Sequence, residues 1–222
     1  MYSIKHIVKS VLLIVIIMVM GAVTTCLYAE PEWKLRKDEE GIKVYTANTD
    51  NSNLKSVKVE CVVNARFSQL VAFLMDVDKQ HDWVYGNKSS QLIKKTGPND
   101  MVFYSEVSVP WPCTNRDYIA HITVAQRSPQ LVTIDSHSEP DLLPLKQGKI
   151  RVRSSVAHWE VTSFGKDGLK IVYTVSFDPS GTVPAWLTNL FITKGPFQTF
   201  QKLKEQVMLP AYQNAYVDFI KD

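Results

Sequence analysis

Four histidines beyond the first thirty residues, His81, His121, His137 and His158, are the side chains best suited to acid–base work or to holding a metal. None of them sits in a pattern that does either. The sequence has no GxSxG, no HExxH and no glycine-rich phosphate loop. It has no CxxC, and its histidines are not clustered along the chain, so no metal site is expected. Cys61 and Cys113 could pair in an oxidising compartment or stay buried and free. Both readings stand, because sequence does not supply the Cα separation that a bridge needs. No catalytic residue and no cofactor is expected.

These residues must be held by a scaffold, and composition bounds it. Of 222 residues, 45% are apolar and 21% charged, which excludes a disordered chain, a collagen and a coiled-coil rod. The length suits one domain, or one domain plus a short segment. The net charge of +3 is too small to argue for nucleic acid as a partner. Lys5 and Lys9 precede an apolar stretch from Val11 to Val23, and no charge falls between Ser10 and Ala29. That pattern reads as a secretory signal ending near Ala29, with a lipidated Cys26 or a retained membrane anchor as alternatives. Residues 1–29 are therefore expected to be a signal peptide or N-terminal anchor, and 30–222 the folded domain. Each alternative exports the domain, to a periplasm or cell envelope. The segment holds two of the 25 basic residues and none of the 22 acidic ones, so the remainder is nearly neutral.

The periodicities of residues 30–222 give mostly strands and a helical end. Pro31 to Glu40 reads as a short helix or turn, broken by Gly41. Val57, Val59, Cys61 and Val63 alternate onto one strand face, whereas Phe67, Leu70, Val71, Leu74 and Met75 have helical spacing. Asp78 to Val84 reads as a second short helix or turn. Strands are expected at 90–95, 101–109, 117–125, 131–137, 149–161 and 169–177, with hairpin turns at Gly97-Pro98-Asn99-Asp100 and Lys166-Asp167-Gly168. From Val183 to Ile220 the apolar spacing is helical, with Gly195 expected to stop one helix and Pro196 to start the next. This order implies an α+β fold, one antiparallel sheet with helices on one side. If sheet and terminal helix stand slightly apart, a dry cavity suited to an apolar ligand lies between them; if they pack tightly, there is none.

Several local signatures then resemble the START family, the lipid-transfer domains related to steroidogenic acute regulatory protein. Trp33-Lys34-Leu35 with Gly41-Ile42-Lys43-Val44-Tyr45 is similar to the family's opening, and Asp76 to Trp83 to its helix ending in tryptophan. Pro110-Trp111-Pro112 with Arg116-Asp117-Tyr118 resembles its Arg-Asp-aromatic strand entry, and Gly148-Lys149-Ile150-Arg151 a later strand. Asp178-Pro179-Ser180-Gly181, Val183 to Asn189 and Lys194-Gly195-Pro196-Phe197 resemble the entry into, and the break within, its gripping helix. The order and spacing of these signatures span residues 33–207.

The resemblance implies a helix-grip fold, a curved antiparallel sheet around a long C-terminal helix, holding one lipid or sterol-like molecule. It implies a carrier with transient membrane contact and no chemistry of its own, expected to be a monomer. Arg116 matches an arginine that points into the cavity in some members. Glu106 is its candidate partner, because a buried charge needs one. Tyr118, Ala120 and Ile122 share the face of Arg116 and are expected to line the cavity. Asp117 points the other way and reads as structural. Trp186, Leu190, Phe191 and Phe197 are candidates for a lid, and the leucines of 139–145 for a membrane contact, a mouth cover or a tucked loop. Two other classes compete. One is a polyketide cyclase or aromatase-like enzyme using Arg116, Glu106 and His158 in the same cavity; the other is an interaction domain with a collapsed cavity.

Overall fold

The computed structural model describes residues 31–48, 55–181 and 183–222. The expected signal or anchor at 1–29 lies outside them. Three strands come first, β1 (Lys34–Glu39), β2 (Ile42–Asn48) and β3 (Lys55–Val63). Helix α1 (Phe67–Met75), a 3₁₀ turn (Val77–Lys79) and helix α2 (Gln80–Trp83) follow. Seven more strands complete the sheet: β4 (Asn87–Gly97), β5 (Asp100–Val107), β6 (Asn115–Ser128), β7 (Leu131–Ser138), β8 (Lys149–Arg151), β9 (Ser154–Phe164) and β10 (Gly168–Asp178). The chain ends in α3 (Ala185–Asn189), a π turn (Leu190–Lys194), α4 (Gly195–Gln206) and α5 (Pro210–Gln213).

The strands form one ten-stranded sheet in the order β1-β2-β3-β10-β9-β7-β6-β5-β4, with β8 beside β6. Neighbours on the main path are antiparallel. The expected α+β helix-grip architecture is the one observed.

Three elements differ from the sequence expectation. Residues 34–39 form a strand, not a helix, because Glu40 and Gly41 both take positive φ (52° and 70°) and fold the segment back on β2 as a hairpin. This edge strand is largely exposed, so it carries no hydrophobic alternation to read. The expected strand over 149–161 is two. β8 pairs parallel with the start of β6 and β9 antiparallel with β7, so the chain breaks between them to change partners.

The terminal helix, finally, does not stop at Gly195. Gly195 has helical φ of −59°, and its N–H reaches back to the Leu190 carbonyl, closing the π turn. A side chain at 195 would start with its Cβ 3.0 Å from the Tyr85 ring, so glycine is what lets the helix pass there. Pro196 is the second residue of α4 and gives no N–H to the turn before it.

Candidate functional site

Side chains on the inner face of the sheet run across it in rows set by strand register. One row reads Cys61, Ile171, Val161, Val132. All four are buried, in one cluster with Leu203 and Val207 of the terminal segment. Further along the strands a row reads Val57, Val175, Ala157, Ser136, Ile122, Met101. Beyond it come the pair Phe177–Ser155 and the run Ser138, Ala120, Phe103. The middle of these rows is alanine and serine, too short to reach the helix.

The space they leave is a cavity of about 360 Å³, roofed by Leu187, Phe191, Ile192 and Thr199 from α3, the π turn and α4. That volume falls within the ordinary range of ligand pockets. At the packed end, Trp159 stacks on Phe200 at 5.3 Å and lies 4.5 Å from Tyr173, closing the cavity with aromatic rings. Tyr118 and Tyr173 also face it, and burial pushes both hydroxyls up from their ordinary pKa, so they remain neutral hydrogen-bonding groups. Trp83 lines the wall, and its Nε1–H is buried without a partner among the described residues.

Two cationic residues, Arg116 and Lys55, line the cavity, and Arg116 is the buried one. Its Nη1 donates to the Thr114 carbonyl at 2.6 Å. The Pro179 and Ser180 carbonyls lie at 3.5 Å, at the limit of hydrogen bonding. No carboxylate pairs with it among the described residues. A guanidinium has five N–H donors, so this lining residue retains donors for a ligand.

The family model for the START domain matches residues 19–210. The chain belongs to the START domain family. It is 31% identical over 173 residues to an uncharacterized protein of Pseudomonas aeruginosa, covering 78% of this chain and 85% of that one. It is also 31% identical to mouse phosphatidylcholine transfer protein over 164 residues, 71% of this chain and 75% of the mouse protein. Among solved structures, the STAR-related lipid transfer protein from Xanthomonas axonopodis superposes with a TM-score of 0.73 at 32% identity. That match covers 80% of this chain and 99% of that one.

Within this START domain the expected site residues separate into two groups. Arg116, Tyr118, Ala120, Ile122 and Phe191 line the cavity. Glu106, Trp186, Leu190 and Phe197 do not. Glu106 stands opposite Asp117 across β5 and β6, whereas Val107 stands opposite Arg116, so Glu106 points to the outer face. There it bonds Lys149, Lys88 at 3.1 Å and Asn115 at 3.2 Å. Burial pushes its carboxyl up, but these hydrogen bonds, led by Lys149, outweigh burial and hold it at about 2.

Trp186 is 49% exposed and faces away, while Phe197 is buried toward β1 with the Lys37 ammonium 4.0 Å above its ring. Leu187 and Phe191, one helical turn apart, form the inward stripe with Ile192 beside them. Leu190 is left half-buried at the edge of that stripe.

Other expectations resolve on the outer face. Asp117 binds Arg151 through two bonds of 2.9 and 3.1 Å, fully buried, as a structural pair. Arg151 also takes the carbonyls of Pro140, Leu143 and Pro144, so the 139–145 loop lies on the outside of the sheet and not over the cavity. Leu143 is tucked against Val102, Tyr104 and Ile119, while Leu145 is exposed. Cys61 and Cys113 are free thiols, and burial pushes the Cys61 thiol up to about 12. His158 bonds Asp135 at 2.6 Å, and neither it nor Glu106 is in the cavity wall. His121 and His137, distant in sequence, meet across β6 and β7, so two of the four histidines are brought together.

Among the lining residues that sequence reasoning missed are Trp159, Tyr173, Phe177, Leu187, Thr199 and the charged Lys55. The alternation of β9 and β10 carried the signal for the first three, once their inward face was known.

Proposed function

We propose that this START domain binds one lipid in the cavity and carries it between membranes. The observation that carries this reading is the void itself: small residues on three neighbouring strands face a helix that does not fill the gap. Acyl chains would lie between those strands and the roof, each buried CH₂ contributing about 0.8 kcal/mol. The polar end would sit on Arg116, whose buried charge lacks a carboxylate partner and so favours an anionic group such as a phosphate. The name of the 31% identical mouse relative makes phosphatidylcholine the first lipid to try.

Two exposed tryptophans support membrane contact. Trp111 is 90% exposed, two residues from the cavity-lining Val109, and Trp186 adjoins the cavity-lining Leu187. Indole rings suit a membrane–water interface. The domain works as a monomer, exported or anchored through residues 1–29. A binding role without chemistry is supported by the wall: its described residues include no carboxylate and no thiol, and the ring of the histidine among them, His137, is turned to the outer face against His121. The cyclase-like reading needed Glu106 and His158 inside.

Vesicle-to-vesicle transfer of fluorescent phosphatidylcholine tests the proposal. The domain should accelerate transfer, Arg116→Leu should slow it with the fold intact, and Trp111→Ala should slow it through weaker vesicle binding. No acceleration over protein-free vesicles, for this lipid or for a mixed bacterial lipid extract, would contradict it.

A further inference from the structure

The outer face of β6 and β7 carries a polar cluster, at a point where His137 also borders the cavity. His121 and His137 are directly opposed in register, with ring centroids 5.0 Å apart. Glu139 follows β7, and its N–H bonds the Ile119 carbonyl at 2.9 Å, which fixes the chain where its carboxylate turns back over both rings. Glu139 Oε1 lies 2.8 Å from His121 Nδ1 and 3.9 Å from His137 Nε2. The three potential ligand atoms all fall within 4.8 Å of one another. A tetrahedral ion with bonds of about 2.0–2.1 Å needs ligand atoms about 3.3 Å apart, a closure that side-chain rotation supplies.

The second nitrogen of His121 is also engaged. Its Nε2 lies 2.8 Å from Asp100 Oδ2, and that oxygen accepts the Thr123 hydroxyl at 2.9 Å. An Asp behind a ligating histidine is the arrangement that orients the ring and directs its free nitrogen at a metal. Two imidazoles and one carboxylate suit a borderline divalent ion, whereas magnesium and calcium prefer all-oxygen sites.

We infer that His121, His137 and Glu139 form a surface binding site for a divalent transition ion of the zinc class, with Asp100 orienting His121. The expectation of no metal site was drawn from linear spacing, whereas these side chains are brought together by strand pairing. The site lies on the reverse side of the strands whose inner faces line the cavity. An ion there would tie β6, β7 and the start of the 139–148 loop together. The inference stands apart from the lipid reading.

The test is zinc titrated into the full chain, in detergent micelles at neutral pH, in competition with a chromophoric chelator. The expected result is one zinc per chain at this site and a rise in melting temperature on its binding. His137→Ala and Glu139→Gln should each weaken zinc by at least roughly 10-fold, and Asp100→Asn by roughly 10-fold or more although it is not a ligand. His137 is more than half exposed, so its replacement leaves the fold intact. His81→Ala, outside the cluster, should change nothing. Equal zinc affinity in His137→Ala, or no binding up to millimolar zinc, would overturn the assignment.

Discussion

Leu203 and Val207, with no exposed surface, press onto a packed row of Ile171, Val161 and Val132. Leu187 and Phe191, about four turns earlier along the same rod, face Ala157, Ser136 and Ala120 across a void. Sheet and helix are shared; what differs is side-chain volume in successive rows. The tight half holds the grip shut through apolar contact. The loose half is held from outside, by the buried Arg151–Asp117 pair and by Glu106 with Lys149, Lys88 and Asn115. A domain of this kind keeps a cavity by moving its cohesion at that end to the outer face of the sheet.

Substitutions in the two halves should therefore behave differently. Leu203→Ala should cost about 2–5 kcal/mol in urea unfolding, the range for deleting a fully buried leucine. Phe191→Ala, whose ring already borders a void, should cost at least about 1 kcal/mol less. Equal losses would show that both halves are packed alike. Ala157→Leu should add its methyl groups to empty space, changing stability by under about 1 kcal/mol while reducing lipid uptake. A cost in the overpacking range of about 1–3 kcal/mol would mean that the row is already full.

The smallest effect concerns the outer clasp and acid. Glu106 is held at about 2 in the folded protein, below its ordinary value of 4.5. The unfolded chain therefore takes up this proton first as pH falls. Stability from Glu106 is complete above its unfolded pKa and is lost as pH drops from there through about 2. Glu106→Gln should flatten urea stability against pH in that window, and an unchanged slope would remove Glu106 from the clasp.

Local patterns were legible and register was not. Helix α1 could be read because Phe67, Leu70, Val71 and Leu74 repeat within one segment, and β3 because Val57 to Val63 alternate. The same alternation put Arg116, Tyr118, Ala120 and Ile122 on one face. Pairing Glu106 with Arg116 required the β5–β6 register, which is set by contacts between strands, and the register opposes Glu106 to Asp117 instead. Assigning Trp186 and Phe197 to a lid rested on their place at the start of the gripping segment, which does not say which side of the helix faces the sheet; Leu187 and Phe191, one turn apart, are the residues that face it. The meeting of His121 with His137 was hidden for the same reason as the Glu106 pairing.

The most direct measurement is native mass spectrometry of residues 30–222 purified without detergent from a lipid-containing extract. The account predicts a complex of one lipid per domain, displaced by Ala157→Leu and altered in lipid class by Arg116→Leu. A domain that emerges bare, and stays bare after incubation with phosphatidylcholine vesicles, would contradict the claim that the loose half of the grip is a lipid site.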